Sequence, residues 1–224
     1  TVQEEIKRAT GNYTVPIVID EKHMGSGTLA VIDERHGILT AEHVVCHPDR
    51  RELHLTQAGR KLYTTVVDYP HELVIDSIAL HIFKTKRLSD DYGPDLAFIA
   101  LPPSAMLREL KARKSFINLT LSVPQRVAAA REETGFVAFC GYPATRNREE
   151  PGRLGFHTAL NLLGIAFLTA QEKAEERNGW DYVELGISHD EVADIGAKFG
   201  GVSGGGVWRV PVYRRRGDAP GQEY

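Results

Sequence analysis

The sequence predicts an all-β protein built in two halves, with a few short accessory helices, and three observations lead there. Short segments rich in Val, Ile, Thr and Phe recur along the whole chain, separated by polar or Gly/Pro punctuation. Helical patterning is confined to three brief stretches. A Pro102-Pro103 pair followed by the charged run 105–114 divides the chain, because proline blocks sheet pairing and charge favours exposure. Regular short strands of this kind suit a barrel or a sandwich.

In order, residues 2–9 read as a helix, and 15–20, 27–32, 37–40, 53–55, 64–67, 75–83 and 96–101 as strands. A second helix is expected at 105–113. The second half supplies strands at 116–123, 134–140, 157–168, 182–187 and 206–213, with loops at 146–152 and 193–201. Residues 171–177 read as a third helix, since Glu172 and Glu176 bracket Lys173 in a solvated face. The division that follows is a helical extension over 1–14, a first β unit over 15–101, a linker over 102–116 and a second β unit over 117–224. No repeat relates the halves.

Composition bounds the function. With 224 residues, 42% of them hydrophobic and 25% charged, the chain can bury a core of one large domain or two close ones. A net charge of -3 argues against nucleic acid as a partner. No run approaches the roughly 20 apolar residues of a membrane helix, so no membrane partner is expected. Residues 1–10 mix Glu4, Glu5, Lys7 and Arg8 and do not read as a signal peptide. Cys46 and Cys140 both sit among apolar neighbours and are expected to be reduced core thiols, which favours a cytoplasmic location.

The chemistry lies in Gly200-Gly201-Val202-Ser203-Gly204-Gly205-Gly206, a serine held between glycines. A serine hydroxyl is a poor nucleophile until a base takes its proton, and histidine suits that task. His43, in Thr40-Ala41-Glu42-His43, is the candidate base. An imidazole in this role needs a carboxylate on its far side to fix its tautomer. Asp95, at the head of the apolar run 96–101, is the candidate, with Asp76 and then Asp68 as rivals. The glycines would let the amides of Gly201 and Ser203 converge on a developing oxyanion, where one donor is worth about 3 to 4 kcal/mol. The plain alternative is a flexible glycine-rich loop.

Four motifs, Gly25-Ser26-Gly27-Thr28-Leu29, Ile38-Leu39-Thr40-Ala41-Glu42-His43-Val44-Val45, Asp95-Leu96-Ala97-Phe98-Ile99 and Gly201-Val202-Ser203-Gly204-Gly205, resemble those of the trypsin-like serine peptidases of the chymotrypsin fold, particularly disulfide-poor bacterial members. The resemblance spans roughly residues 15–213. It implies two six-stranded antiparallel β-barrels, with His43 and Asp95 from the first and Ser203 from the second meeting in the cleft between them. It also implies an endopeptidase acting on protein or peptide substrates through an acyl-enzyme, with no cofactor and no metal. An activating or inhibiting protein partner is expected of such an enzyme. Three departures stand out. Val202 replaces the aspartate that pairs with a new N-terminal amine in secreted trypsin relatives, so activation by that insertion is not expected. Ala197 falls at the base of the specificity pocket, with Asp194 competing for the place, and predicts a small or apolar P1 residue. The chain stops at Tyr224, where family members continue into another strand, so it is expected to be truncated.

Other readings are weaker. Gly201 to Gly205 also satisfies the G-x-S-x-G elbow of α/β-hydrolases, but no histidine follows Ser203 as that fold requires. His43, Cys46 and His47 suggest a metal, yet no second ligand cluster accompanies them. Arg214-Arg215-Arg216 and 146–152 read as solvated loops, and Trp180 and Trp208 as packing residues. The reading from a different class is a catalytically silent module that keeps the fold and binds a peptide or partner protein in its cleft.

Overall fold

A computed structural model of the chain describes residues 2–19, 22–46, 61–65, 72–76, 80–85, 94–120, 135–143, 148–149, 158–159, 163–167, 172–177, 179–185 and 200–211. The protein is mostly β, with antiparallel sheets and a few short helices. Helix α1 (Val2–Gly11) leads into β1 (Thr14–Ile19), β2 (Lys22–Ile32) and β3 (Arg35–Thr40), and the one-turn helix α2 (Glu42–Val45) follows. Next come β4 (Lys61–Thr65), β5 (Glu72–Asp76), β6 (His81–Lys84), β7 (Ala97–Ala100), α3 (Ala105–Arg113) and β8 (Ile117–Asn118). These eight strands form one sheet in the order β5-β4-β1-β2-β3-β7-β6, with β8 added in parallel to β2. The path is open among the described residues, with β5 and β6 at its ends.

Alternation explains why this sheet buries both faces. Val15 and Ile17 of β1, Leu29 of β2, Ile38 of β3 and Ile99 of β7 are completely buried in one cluster, which Leu107 and Leu110 of α3 and Val44 and Val45 of α2 complete. Ala30, Phe98 and Ala100 point the other way and pack with Leu39, Ile117 and Leu119. Ser104 caps α3 by accepting the Leu107 amide at 3.2 Å. At the other end of α3, the Lys114 ammonium donates to the carbonyls of Gly11 at 2.7 Å and Thr14 at 3.2 Å. It thereby supplies a cation to the C-terminus of α1, where the helix dipole favours one.

The second half holds β9 (Gly135–Gly141), β10 (Arg148–Glu149), β11 (Thr158–Ala159), β12 (Leu163–Phe167), β13 (Glu172–Arg177), β14 (Trp180–Leu185) and β15 (Gly206–Pro211). β9 is central in a three-stranded sheet between β12 and β15, while β10-β11 and β13-β14 are separate pairs. α1 lies against β12 and β9. Trp208 of β15 packs on Cys140 and Tyr142 and sets its ring 5.0 Å from that of Tyr13, so it does serve as a packing residue. Cys46 and Cys140 are both free and buried, as expected of core thiols.

Four expected elements differ. Residues 171–177 form a strand, not a helix: each residue of β13 pairs with β14, rich in Trp180, Tyr182 and Val183, around a turn with Gly179 at φ +77°. Helical charge spacing on a polar face is a weak preference, and hairpin pairing overrides it. The run 75–83 is divided between β5 and β6, which occupy opposite edges of the sheet. Its apolar content could not separate one long strand from two short ones. The expected strand 157–168 is likewise two, β11 and β12, and β10 lies inside the expected loop 146–152. Of 116–123, the described strand is Ile117–Asn118. The expected strand 53–55 lies outside the described residues. Among the described residues no helix is long and apolar enough to cross a membrane.

Two outcomes follow. Ile99→Ala empties the centre of the main cluster and should cost about 2 to 5 kcal/mol in denaturant titration. His36, beside Phe116 with ring centroids 5.0 Å apart, has its pKa held below 6.5 by burial and then by the Lys111 ammonium, against a backbone bond with Glu34. A depressed histidine favours the neutral form in the fold, so its contribution is full above 6.5 and is lost as pH falls from there. Urea midpoints at pH 8 and 5.5 should therefore differ more for the wild type than for His36→Gln.

Candidate active site

Register brings His43 and Asp95 together. β3 and β7 run antiparallel with Thr40 opposite Ala97, so the residues after Thr40 and those before Ala97 leave the same end of the sheet. α2 turns the chain immediately there. Glu42 donates its amide to the Asp95 carbonyl at 3.2 Å, and His43 donates its amide to Asp95 Oδ1 at 3.0 Å. The other carboxylate oxygen, Oδ2, meets Nδ1 of the His43 ring. One carboxylate thus holds the main chain and the imidazole of the same residue. Thr85 fixes the far side of this segment, its hydroxyl donating to the Pro94 carbonyl at 2.6 Å and its amide to the Leu96 carbonyl at 3.1 Å. The His43 side chain is 47% exposed and that of Asp95 32%, which places the pair at the surface, within reach of a ligand.

Asp76, the rival carboxylate, belongs to β5 at the edge of the sheet, away from β7, so its strand does not lead to His43. Asp68, Asp194 and Ala197 lie outside the described residues. So does the pocket that Ala197 was expected to floor.

The serine turn precedes β15. Because β15 pairs with β9 with Gly206 opposite Cys140, residues 201–205 stand beside the end of β9 at Gly141 and Tyr142. Gly201 has φ +90° and Gly204 φ +84°, the left-handed region that glycine adopts without a Cβ penalty. A Cβ on Gly204 would lie 2.2 Å from both the Ser26 carbonyl and Thr40 Oγ1, and 3.0 Å from the Ala41 amide. One on Gly25 would lie 2.7 Å from Val44 and 3.0 Å from the Ser203 carbonyl. The turn therefore rests on Thr40 and Ala41, just before His43, while Gly25, which meets Ser203, packs on Val44.

Ser26, to which the sequence assigns no role beyond its motif, makes the junction. Its amide donates to the Ser203 carbonyl at 2.8 Å and its hydroxyl to the Gly201 carbonyl at 2.7 Å. The same hydroxyl accepts the Tyr142 amide at 2.8 Å, and the Ser26 carbonyl accepts from Thr40 Oγ1 at 2.7 Å. Ser26 is completely buried, so each of these bonds replaces one that water would have made. The Val202 carbonyl takes the Gly205 amide at 2.8 Å. Three successive carbonyls, those of Gly201, Val202 and Ser203, are thus occupied. Among the described residues the amides of Gly201 and Ser203 have no acceptor, and no hydrogen bond joins Ser203 to His43. Hydrogen bonds of this kind are often long before a substrate binds. The available signal for Ser26 is a serine between two glycines at the head of the apolar run 29–32.

Nearby charges serve structure. Lys84 reaches Glu42 Oε1 at 3.3 Å beside the pair. Burial pushes the Cys46 thiol above its ordinary range, with Lys84 opposing and Glu42 adding to the shift. A thiol kept protonated is a poor nucleophile and a poor ligand. Among the described residues no three His, Cys, Asp or Glu side chains converge to hold a metal ion.

Gly204→Ala should displace the turn through both the positive φ and the backbone clash. A loss of more than about 1 kcal/mol is expected in thermal or denaturant unfolding, together with loss of any reactivity at Ser203. In comparisons with known proteins, no family model matches the chain and no curated protein is significantly similar to it; what the site can do follows from its own geometry.

Proposed function

We propose that the protein is a serine endopeptidase of the trypsin-like kind, with the two β units acting as the paired barrels of a chymotrypsin fold. The observation that carries this reading is the double hold of Asp95 on His43, with the Ser203 turn packed against Thr40 and Ala41 just before that histidine. Nδ1 is turned to Asp95, which leaves Nε2 as the nitrogen able to take a proton. In the proposed reaction Ser203 Oγ attacks the peptide carbonyl carbon as His43 Nε2 accepts its proton. The amides of Gly201 and Ser203 hold the oxyanion, and His43 passes the proton to the leaving amine. Water then repeats the sequence on the acyl-enzyme. Substrates in this reading are proteins or peptides, and control by a protein partner is part of it.

One observation favours a second reading, a silent module that binds a peptide or partner in the same cleft: no hydrogen bond joins Ser203 to His43 among the described residues. Covalent capture separates the two. A fluorophosphonate probe should label the native chain and not Ser203→Ala, which removes one exchangeable hydroxyl and should unfold at the same temperature. Absence of labelling in the native chain would favour the binding module. Asp95→Asn should keep the fold but slow labelling on the order of 10³- to 10⁴-fold, because the amide leaves the imidazole in the wrong tautomer.

A further inference from the structure

We infer that Ser26 is a positioning residue for Ser203 and the oxyanion donors, fixing the turn from the opposite sheet. This rests on the proposed reading of Ser203 as the nucleophile. Ser26 lies in β2, opposite Pro16 of β1 and far from the nucleophile in sequence, yet its amide and hydroxyl bond the carbonyls of Ser203 and Gly201. A carbonyl and the amide that follows it form one rigid plane. Holding the Gly201 carbonyl therefore orients the amide of Val202, and holding the Ser203 carbonyl orients that of Gly204. The two planes bracket the one that carries the Ser203 amide.

The hydroxyl does more than tether. It receives the Tyr142 amide at 2.8 Å while donating to Gly201 at 2.7 Å, so β2, the end of β9 and the turn share one oxygen. Thr40 Oγ1 holds the Ser26 carbonyl at 2.7 Å, and Thr40 precedes His43 by three residues. The base and the nucleophile are thus both tied to the backbone of Ser26. Glycines at 201 and 204 with positive φ could adopt other conformations, and a buried residue with all its polar groups bonded selects one of them.

Ser26→Ala removes the hydroxyl and keeps the main-chain bonds. In the full chain, the maximal rate of fluorophosphonate labelling should fall about tenfold to a hundredfold, the scale of small misplacements at reacting centres. The probe concentration giving half that rate should change less than about threefold. Amide hydrogen exchange over 200–206 should quicken by about tenfold, while exchange in β4 and β5 stays as it was. Thr14→Val provides the control for loss of a buried hydroxyl, since Thr14 Oγ1 bonds the Thr10 carbonyl at 3.0 Å and does not touch the turn. It should leave labelling and turn exchange unchanged. Unaltered labelling in Ser26→Ala, a change only in half-saturation, or an exchange increase spread evenly through the chain would overturn the inference. Should Ser26→Ala not fold, Ser26→Cys, which keeps a weak donor, should show the same local effects at smaller size, and wild-type behaviour there would also overturn it. If the native chain does not label at all, the peptidase reading fails by itself. Exchange then decides alone whether Ser26 holds the turn: local quickening upholds that, and an unchanged turn refutes it.

Discussion

The antiparallel register that sets Thr40 of β3 opposite Ala97 of β7 is the constraint on which the candidate site depends. A strand slip of one residue would send Ile38 and Ile99 to the opposite face and separate the histidine from its carboxylate. Packing opposes that slip, because both residues are completely buried in the main cluster and neither could be turned over without leaving it for the differently filled cluster of Ala30, Phe98 and Ala100. The same apolar alternation that stabilises the sheet therefore aligns the polar groups at its end. No special interaction had to be added to bring His43 and Asp95 together beyond the tight turn of α2.

The second contributor arrives differently. Ser203 comes from a small sheet with its own register, and its place relative to His43 is set across a junction rather than along a strand. Close backbone approach is the condition there, met by glycines where a Cβ would collide and by a buried serine where hydrogen bonds are needed. Apolar packing determines that the two sheets meet. Directional bonds determine at which angle the turn stands.

Much of this was legible in the sequence and some was not, for physical reasons. Short runs that are apolar nearly throughout, such as those carrying Ile17 and Ile99, announce strands buried on both faces. The helix at Ala105–Arg113 is marked by Ser104 as cap and by basic residues in its last turn. His43 and Asp95 could be paired in advance because each sits beside a strand end. By contrast, β13 carries mostly charge, and its conformation is decided by Trp180 and its neighbours across the hairpin, which no local window includes. The motif around Ser26 is visible but its role is not, because its partners are distant in sequence: the bond to Gly201 spans 175 residues and that from Tyr142 spans 116.

Helix α1 rests on β9 and β12, yet β1, which follows it after residues 12–13, lies within the large sheet. The chain consequently crosses between the sheets at residues 12–13, and Lys114, which follows α3 of the large sheet's core, bonds the carbonyls of Gly11 and Thr14 on either side of that crossing. A crossing pinned on both sides loses the freedom of a hinge, so α1 keeps its orientation to the large sheet while it packs on the small one.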